Sequence, residues 1–368
     1  MMANKRISSQ AAITRREFVR DLPLTAVGLS ACIKSANAQT ISSKPLNFNE
    51  NMEYRRLGKT GLMVSAVSLG GHWKRISSVI GGVSESEGWY AAVVSQPEFI
   101  QNRKDIVSAC IESGINYVDA CVGAEVLAYS AALKGRRDKM FFGYSWAEKE
   151  SRNREYRSAN KLMQALDEGL RAASLDYVDL WRITCFEQGG EHTYNESEEM
   201  VAALDTAKKQ GKARFTGISS HDRRWLKWMV SEYPAQIEVI LTPYTAKTKL
   251  LPEESLFDAV KKHDVGVFGI KPFASNSLFK GNSAPNNPYA EEDNERARLA
   301  VRYILGNLSI TAPIPGLVSR QQVENMVRSV KERRQLDAKE TRTLGNAAVE
   351  AWARLPEEYQ WLKAWEYV

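Results

Sequence analysis

Cysteine is scarce, with four in 368 residues and no CxxC pair. Cys32 lies near the N-terminus. Cys110, Cys121 and Cys185 remain, an odd set that supports neither a disulfide framework nor a zinc or iron–sulfur site. Histidine is equally sparse, at four. No pair has metal-ligand spacing, so no metal is expected. GxSxG and a Ser-His-Asp pattern are both missing, which disfavours hydrolase chemistry. No segment after the leader reaches 18 consecutive apolar residues, so no membrane span is expected there. Internal repeats and low-complexity stretches are absent too. Excess charge is small: the first 38 residues hold six basic residues against two acidic ones, leaving about +2 of the formal +6 for the rest. So balanced a surface offers no electrostatic footprint for nucleic acid.

The first 38 residues read as a leader. Arg15-Arg16 precedes a modest apolar run from Leu22 to Ile33, then the small-x-small Ser35-Ala36-Asn37-Ala38. The pattern resembles a bacterial twin-arginine export signal, which implies the twin-arginine export machinery as a partner and a periplasmic or secreted location. Cleavage after Ala38 is favoured. Leu29-Ser30-Ala31-Cys32 also fits a lipoprotein signal, which would leave a lipid anchor on Cys32. Residues 39–52 are polar and read as a flexible linker. Residues 53–368 suit one large domain.

Within that domain, short apolar β-branched runs alternate with amphipathic helical patterns. Strands are expected near Val64–Leu69, Tyr117–Ala120, Met140–Tyr144, Val178–Ile183, Phe215–Ile218, Ile237–Leu241, Val265–Ile270 and Thr311–Ile314. A helix follows each, and a further one spans Asp337–Arg354, ahead of an aromatic tail through Trp361 and Trp365. Eight strand–helix units predict an α/β fold, a (β/α)8 TIM barrel. Two long loops, 70–103 and 275–291, fall at the C-terminal face, where such barrels build their sites.

Particular segments resemble the aldo–keto reductases. They are Tyr54-Arg55-Arg56-Leu57-Gly58-Lys59-Thr60-Gly61-Leu62, Gly114-Ile115-Asn116-Tyr117-Val118-Asp119, Leu175-Asp176-Tyr177-Val178-Asp179-Leu180, Gly217-Ile218-Ser219-Ser220 and Pro313-Ile314-Pro315-Gly316. The resemblance implies reduction of a carbonyl with NADP or NAD. In that family a tyrosine gives the proton, a lysine lowers its pKa, an aspartate supports the lysine and a histidine orients the carbonyl. Asp119 matches the aspartate. The tyrosine position is Ala124, the lysine position Ser145 and the histidine position Thr184, so three of the four roles are empty. The cofactor pattern is partly kept. Ser219 and Ser220 resemble the carboxamide-binding pair, and Tyr244 the aromatic that stacks on nicotinamide. Lys271 matches a group near the pyrophosphate. Gly316, Ser319, Arg320 and Gln322 open the last barrel helix, where N–H groups and the dipole favour phosphate. Asn325-Met326 departs from the usual Glu-Asn pair.

With the usual acid missing, His72, His221 and Glu187 join Asp119 as candidate catalytic groups, because a near-neutral histidine is able to replace a tyrosine. His192 is expected on the same side, and Trp73, Trp146 and Trp181 offer flat apolar surfaces. The leading expectation is an exported oxidoreductase with an atypical centre, acting on a small carbonyl or sugar-type substrate. Two alternatives stand beside it: a catalytically inactive barrel that binds a ligand or partner, and a non-redox lyase or isomerase. The leader makes a prediction of its own. Intact-mass measurement of the exported protein should show a chain beginning at Gln39; a lipidated Cys32 at the N-terminus would replace that reading.

Overall fold

The computed structural model describes residues 44–80, 96–248 and 255–363; the leader, Trp365 and most of residues 70–103 beyond Ile80 lie outside them. The chain opens with an antiparallel hairpin, β1 (Tyr54–Arg56) and β2 (Met63–Ser65). Eight parallel strands follow: β3 (Leu69–Gly70), β4 (Tyr117–Ala120), β5 (Phe141–Tyr144), β6 (Val178–Thr184), β7 (Ala213–Ser219), β8 (Val239–Pro243), β9 (Gly266–Ile270) and β10 (Ala312–Pro313). The helices that follow them are α1 (Pro97–Glu112), α2 (Gly123–Ala132), α3 (Ala159–Ala173), α4 (Tyr194–Lys209), α5 (Arg223–Glu232), α6 (Leu256–His263), α7 (Ala290–Leu305) and α8 (Arg320–Lys331). A ninth, α9 (Ala338–Ala353), packs on α7. The expected (β/α)8 barrel is therefore the observed fold.

Neighbouring strands pair in sequence order from β3 to β10. The barrel closes where the Gly70 N–H donates to Pro315 O at 2.8 Å and the Ser68 N–H to Pro313 O at 3.1 Å. Glycine is required at this seam. A Cβ on Gly316 would lie 2.4 Å from the Gly71 carbonyl, and one on Gly70 2.7 Å from Ile314. No described helix is long and apolar enough to cross a membrane.

One expected strand is corrected. Val64–Leu69 is not continuous: Val64 belongs to the hairpin and only Leu69–Gly70 enters the barrel. The chain turns between them, where the Ala66 N–H donates to Glu53 O. The hairpin is tied beneath the barrel by Asn116. Its Oδ1 accepts from the Ser65 N–H and its Nδ2 donates to Met63 O, both at 2.9 Å. Leu57, Leu62 and Val64 thereby join the barrel-interior cluster with Leu180, Leu241 and Phe268. The hairpin plugs the end opposite the strand C-termini. Tyr117 and Phe268 stack at 4.3 Å above it, making a dry base for whatever sits higher.

Leu57 is completely buried in this plug. Leu57→Ala should lower stability by about 2–5 kcal/mol, the usual cost of a core truncation with a residual cavity. Urea unfolding followed by circular dichroism should show the lower midpoint; an unchanged midpoint would mean the plug does not contribute to the barrel's stability.

Candidate active site

The C-terminal ends of the strands open on one cavity of about 710 Å³. Its floor holds Asp119, Cys121, Arg182 and Thr184, and its walls include His72, His221 and Lys271. At the far end it meets the segment Gly316–Ser319 and the start of α8. Parts of both expected long loops border it, Lys74 and Arg75 from the first, Ser275 and Asn276 from the second.

Asp119 is 4% exposed, and a carboxylate that deep needs a partner. Arg182 supplies it: Nη2 reaches Oδ2 at 2.5 Å and Nε reaches Oδ1 at 3.3 Å. The Tyr117 phenol donates to the same Oδ1 at 3.3 Å. Burial works against the charge on Arg182, but the adjacent Asp119 outweighs it and keeps the guanidinium protonated. Arg182 was not among the residues singled out from the sequence. The signal was present, since alternate residues of a strand face one side. Arg182 shares the inward side with Thr184, and Asp119 demanded a cation.

The three positions at which the resemblance implies a tyrosine, a lysine and a histidine have separate fates. Ala124 lies in α2. Ser145 and Thr184 belong to a hydrogen-bonded chain whose direction follows from its ends, because arginine only donates and a carboxylate only accepts. Arg182 Nη1 donates to Thr184 Oγ1 at 2.8 Å, and Thr184 and Ser145 hydroxyls meet at 2.7 Å. Ser145 donates to Glu150 Oε2 at 2.5 Å. The same oxygen accepts the Thr184 N–H, while Oε1 accepts from the Trp146 N–H and Trp181 Nε1. Burial raises the Glu150 pKa and these bonds oppose the rise. Sequence reasoning missed Glu150, which lies in an irregular segment with no pattern to mark it. Tyr144 points away from this network, as strand alternation requires, with its hydroxyl against Gly169 of α3.

The candidate acids and bases divide. His72, at φ +58°, bonds through Nδ1 to Glu125 Oε1 at 2.8 Å. Glu125 is fully buried; burial raises its pKa, yet the His72 ring and two N–H donors hold it below the usual range. His221 is 5% exposed and stacks on Trp361 at 4.2 Å. Burial, then Lys271 and Arg152, push its pKa well down, so the ring is neutral near pH 7. It therefore carries no imidazolium proton, which corrects the expectation of a near-neutral acid. Glu187 is half exposed, 3.7 Å from Arg152 and 3.9 Å from His221 Nδ1. His192 is elsewhere: its Nε2 accepts the Phe186 N–H and its ring stacks on Phe186, and burial lowers its pKa to about 4. Of the three tryptophans, Trp73 borders the cavity and donates to Tyr129 at 3.0 Å. Trp181 is core, and Trp146 packs on Gly123.

The expected cofactor residues divide as well. Ser219 borders the cavity, but Ser220 Oγ turns away and donates to Phe186 O at 2.8 Å. Tyr244 is also turned away. Its ring meets Phe257 edge-on and its hydroxyl accepts from Asn307 Nδ2 at 3.1 Å, so it does not border the cavity. Arg320 points to solvent and pairs with Glu112 at 2.9 Å. Gly316, Ser319 and Gln322 do border the cavity. Ser319 caps α8, accepting the Gln322 N–H, while Gln322 Oε1 accepts the Val318 N–H. Asn325 is held by Arg298 at 2.8 Å and by Asn294 O at 3.1 Å. Lys271, at φ +54°, extends its ammonium 5.4 Å above the Tyr359 ring and 5.8 Å above Trp361. Desolvation lowers its pKa, and an anion bound beside it would oppose that shift.

Removing one partner of a buried pair leaves an uncompensated charge, at a cost of about 3–5 kcal/mol. Arg182→Met should therefore destabilise strongly, and Asp119→Asn combined with it should recover part of the loss. Additive losses in the double mutant, measured by denaturant unfolding, would show that the pair is not coupled.

A sequence profile described as the Aldo/keto reductase family matches residues 99–348. The chain is similar to L-galactose dehydrogenase of Arabidopsis thaliana, with 28% identity over 306 residues, covering 76% of this chain and 89% of that protein. It is also similar to L-glyceraldehyde 3-phosphate reductase of Escherichia coli (strain K12), with 25% identity over 244 residues, 62% of this chain and 63% of that one. Among solved structures, the holo form of an aldo-keto reductase from Bacillus halodurans shares the fold at a TM-score of 0.57 and 24% identity, covering 84% of this chain and 99% of that one. With its barrel closed and residues 99–348 matched by the family profile, this chain belongs to the aldo/keto reductase family.

Proposed function

We propose that the protein is an exported oxidoreductase that uses NADP or NAD on a small sugar-type carbonyl or hydroxyl, with an atypical proton-handling centre. The observation that carries the reading is the continuous cavity from the Asp119–Arg182 pair to the N-terminus of α8. A helix start suits phosphate, because its first N–H groups lack intrahelical partners and its dipole favours anions. Gly316 and Ser319 would lie against the phosphates, and Ser219 would meet the nicotinamide amide. When bound, the dinucleotide supplies the hydride chemistry. The names of the two curated relatives, one a sugar dehydrogenase and one a reductase of a phosphorylated sugar aldehyde, support the substrate class.

The protein's own task is to bind the sugar, exclude water and move one proton. The floor is poorly suited to the last step. Cys121 is held protonated, since burial raises its pKa and Arg182 offsets only part of that. Two further hydroxyls are already committed, that of Thr184 to Ser145 and that of Ser145 to Glu150. This commitment favours a second reading, a silent barrel that keeps the ligand without turnover. The twin-arginine-like leader supports export of a folded protein with its dinucleotide already held, because nicotinamide dinucleotides are scarce outside the cytoplasm.

Protein purified from the periplasm should show a dinucleotide adduct by native mass spectrometry. Stripped protein should gain thermal stability on adding NADP or NAD, since a ligand that binds only the native state stabilises it. A nucleotide-free mass together with an unmoved Tm for both would sink the reading. Ligand retained with no turnover of L-galactose or glyceraldehyde would favour the silent barrel.

A further inference from the structure

The structure places a phenol–ammonium pair in the cavity, far in sequence from any tetrad position. Glu357–Lys363 forms a short 3-10 segment after α9. Leu355, Tyr359 and Leu362 pack it against Ala274 in the loop after β9. Trp361 stacks on His221, so the segment lies over the wall of the cavity. Tyr359 borders the same cavity as Asp119 and Arg182, and is 8% exposed. Lys74, from the loop after β3, donates to its hydroxyl at 2.7 Å and to Ser275 Oγ at 3.0 Å. Lys271 lies over its ring.

We propose that Tyr359 is the proton donor of this enzyme in carbonyl reduction, with Lys74 and Lys271 stabilising its phenolate. The proposal rests on the oxidoreductase reading above. In the reduction, the hydride from a dihydronicotinamide bonds to the carbonyl carbon. The carbonyl π pair moves to oxygen, and that oxygen takes the phenol proton as the Tyr359 O–H bond breaks. An alcohol, an oxidised nicotinamide and a phenolate between two ammonium groups result, and solvent returns the proton to the phenolate. In oxidation the phenolate is the base.

The electrostatics agree with the geometry. Burial alone would raise the phenol pKa, but Lys271, then the Lys74 and Ser275 hydrogen bonds, bring it below the ordinary tyrosine value. Lys271 also senses the Cys121 thiol on the floor and the Glu187 carboxylate on the wall. The facing groups are therefore Lys74, Ser275 and Lys271, with Cys121, Glu187 and Arg152 acting through Lys271.

The sign of the pH effect follows. Reduction needs the protonated phenol, so its rate falls as pH rises through the lowered pKa. Removing an ammonium raises that pKa and moves the alkaline limb to higher pH.

The test uses the full exported chain with NADPH or NADH and glyceraldehyde, and the oxidised dinucleotides with L-galactose. Tyr359→Phe keeps the ring and its packing. It should lower kcat by roughly 100-fold or more, while the dinucleotide Kd and the melting temperature stay unchanged. Lys74→Met should move the alkaline limb of reduction upward, and Lys74→Arg should restore it. A readout independent of turnover is the ultraviolet tyrosinate band, whose earliest step on alkaline titration should vanish in Tyr359→Phe. Equal kcat in the phenylalanine variant, or an early phenol step that survives in it, overturns the proposal and leaves the oxidoreductase reading standing. Wild-type protein that neither binds a dinucleotide nor turns over either probe fails that reading, and the Tyr359 assignment falls with it. If the wild type binds dinucleotide but leaves both probes unreacted, the titration decides: no early step overturns the assignment.

Discussion

The buried ion pair between Asp119 and Arg182 organises the centre of this barrel. A carboxylate 4% exposed above an apolar plug has no tolerable ionised state without a cation in contact. Arginine meets that demand differently from lysine. Its planar fork bonds both carboxylate oxygens and still donates to Thr184. From Thr184 the hydrogen bonds run to Ser145 and end on Glu150. The floor hydroxyls are therefore bonded internally, with a guanidinium at one end of the chain and a carboxylate at the other.

Groups that face the cavity from its wall come from distant parts of the chain: Lys74 after β3, His221 after β7, Lys271 after β9, and Tyr359 from beyond α9. The C-terminal segment joins them, through the Trp361–His221 stack and the Leu355–Tyr359–Leu362 cluster. Burial keeps His221 neutral while two ammonium groups surround Tyr359. The positive charge is thus concentrated where an anion, whether a phosphate or a phenolate, would be stabilised.

The scaffold makes this arrangement possible. The hairpin fills the lower barrel with Leu57, Leu62 and Val64, so the polar groups above it sit on a dry base. Low local polarity strengthens every satisfied hydrogen bond and penalises every unsatisfied one. The glycine seam at Gly70 and Gly316 lets the first and last strands close, and that closure brings the loop after β3, which carries Lys74, to the same mouth as the start of α8.

Much of this was legible in the residues alone. Strand and helix periodicities reflect local burial, so eight barrel strands and their helices were readable. The resemblance also set Ala124, Ser145 and Thr184 where a tyrosine, a lysine and a histidine are implied, a matter of residue identity at a position. Arg182 was readable in principle from strand alternation opposite a buried Asp119. Other features depended on tertiary structure. Only the folded chain showed Val64 joining a hairpin, because strands of three residues are too short for alternation to mark them. Only it turned Ser220 and Tyr244 away from the cavity, since a side chain's direction answers to its neighbours. The neutrality of His221 and the meeting of Tyr359 with Lys74, 285 positions apart, were likewise decided by packing. Desolvation and Coulomb energy depend on distance in space, and sequence order does not encode that distance.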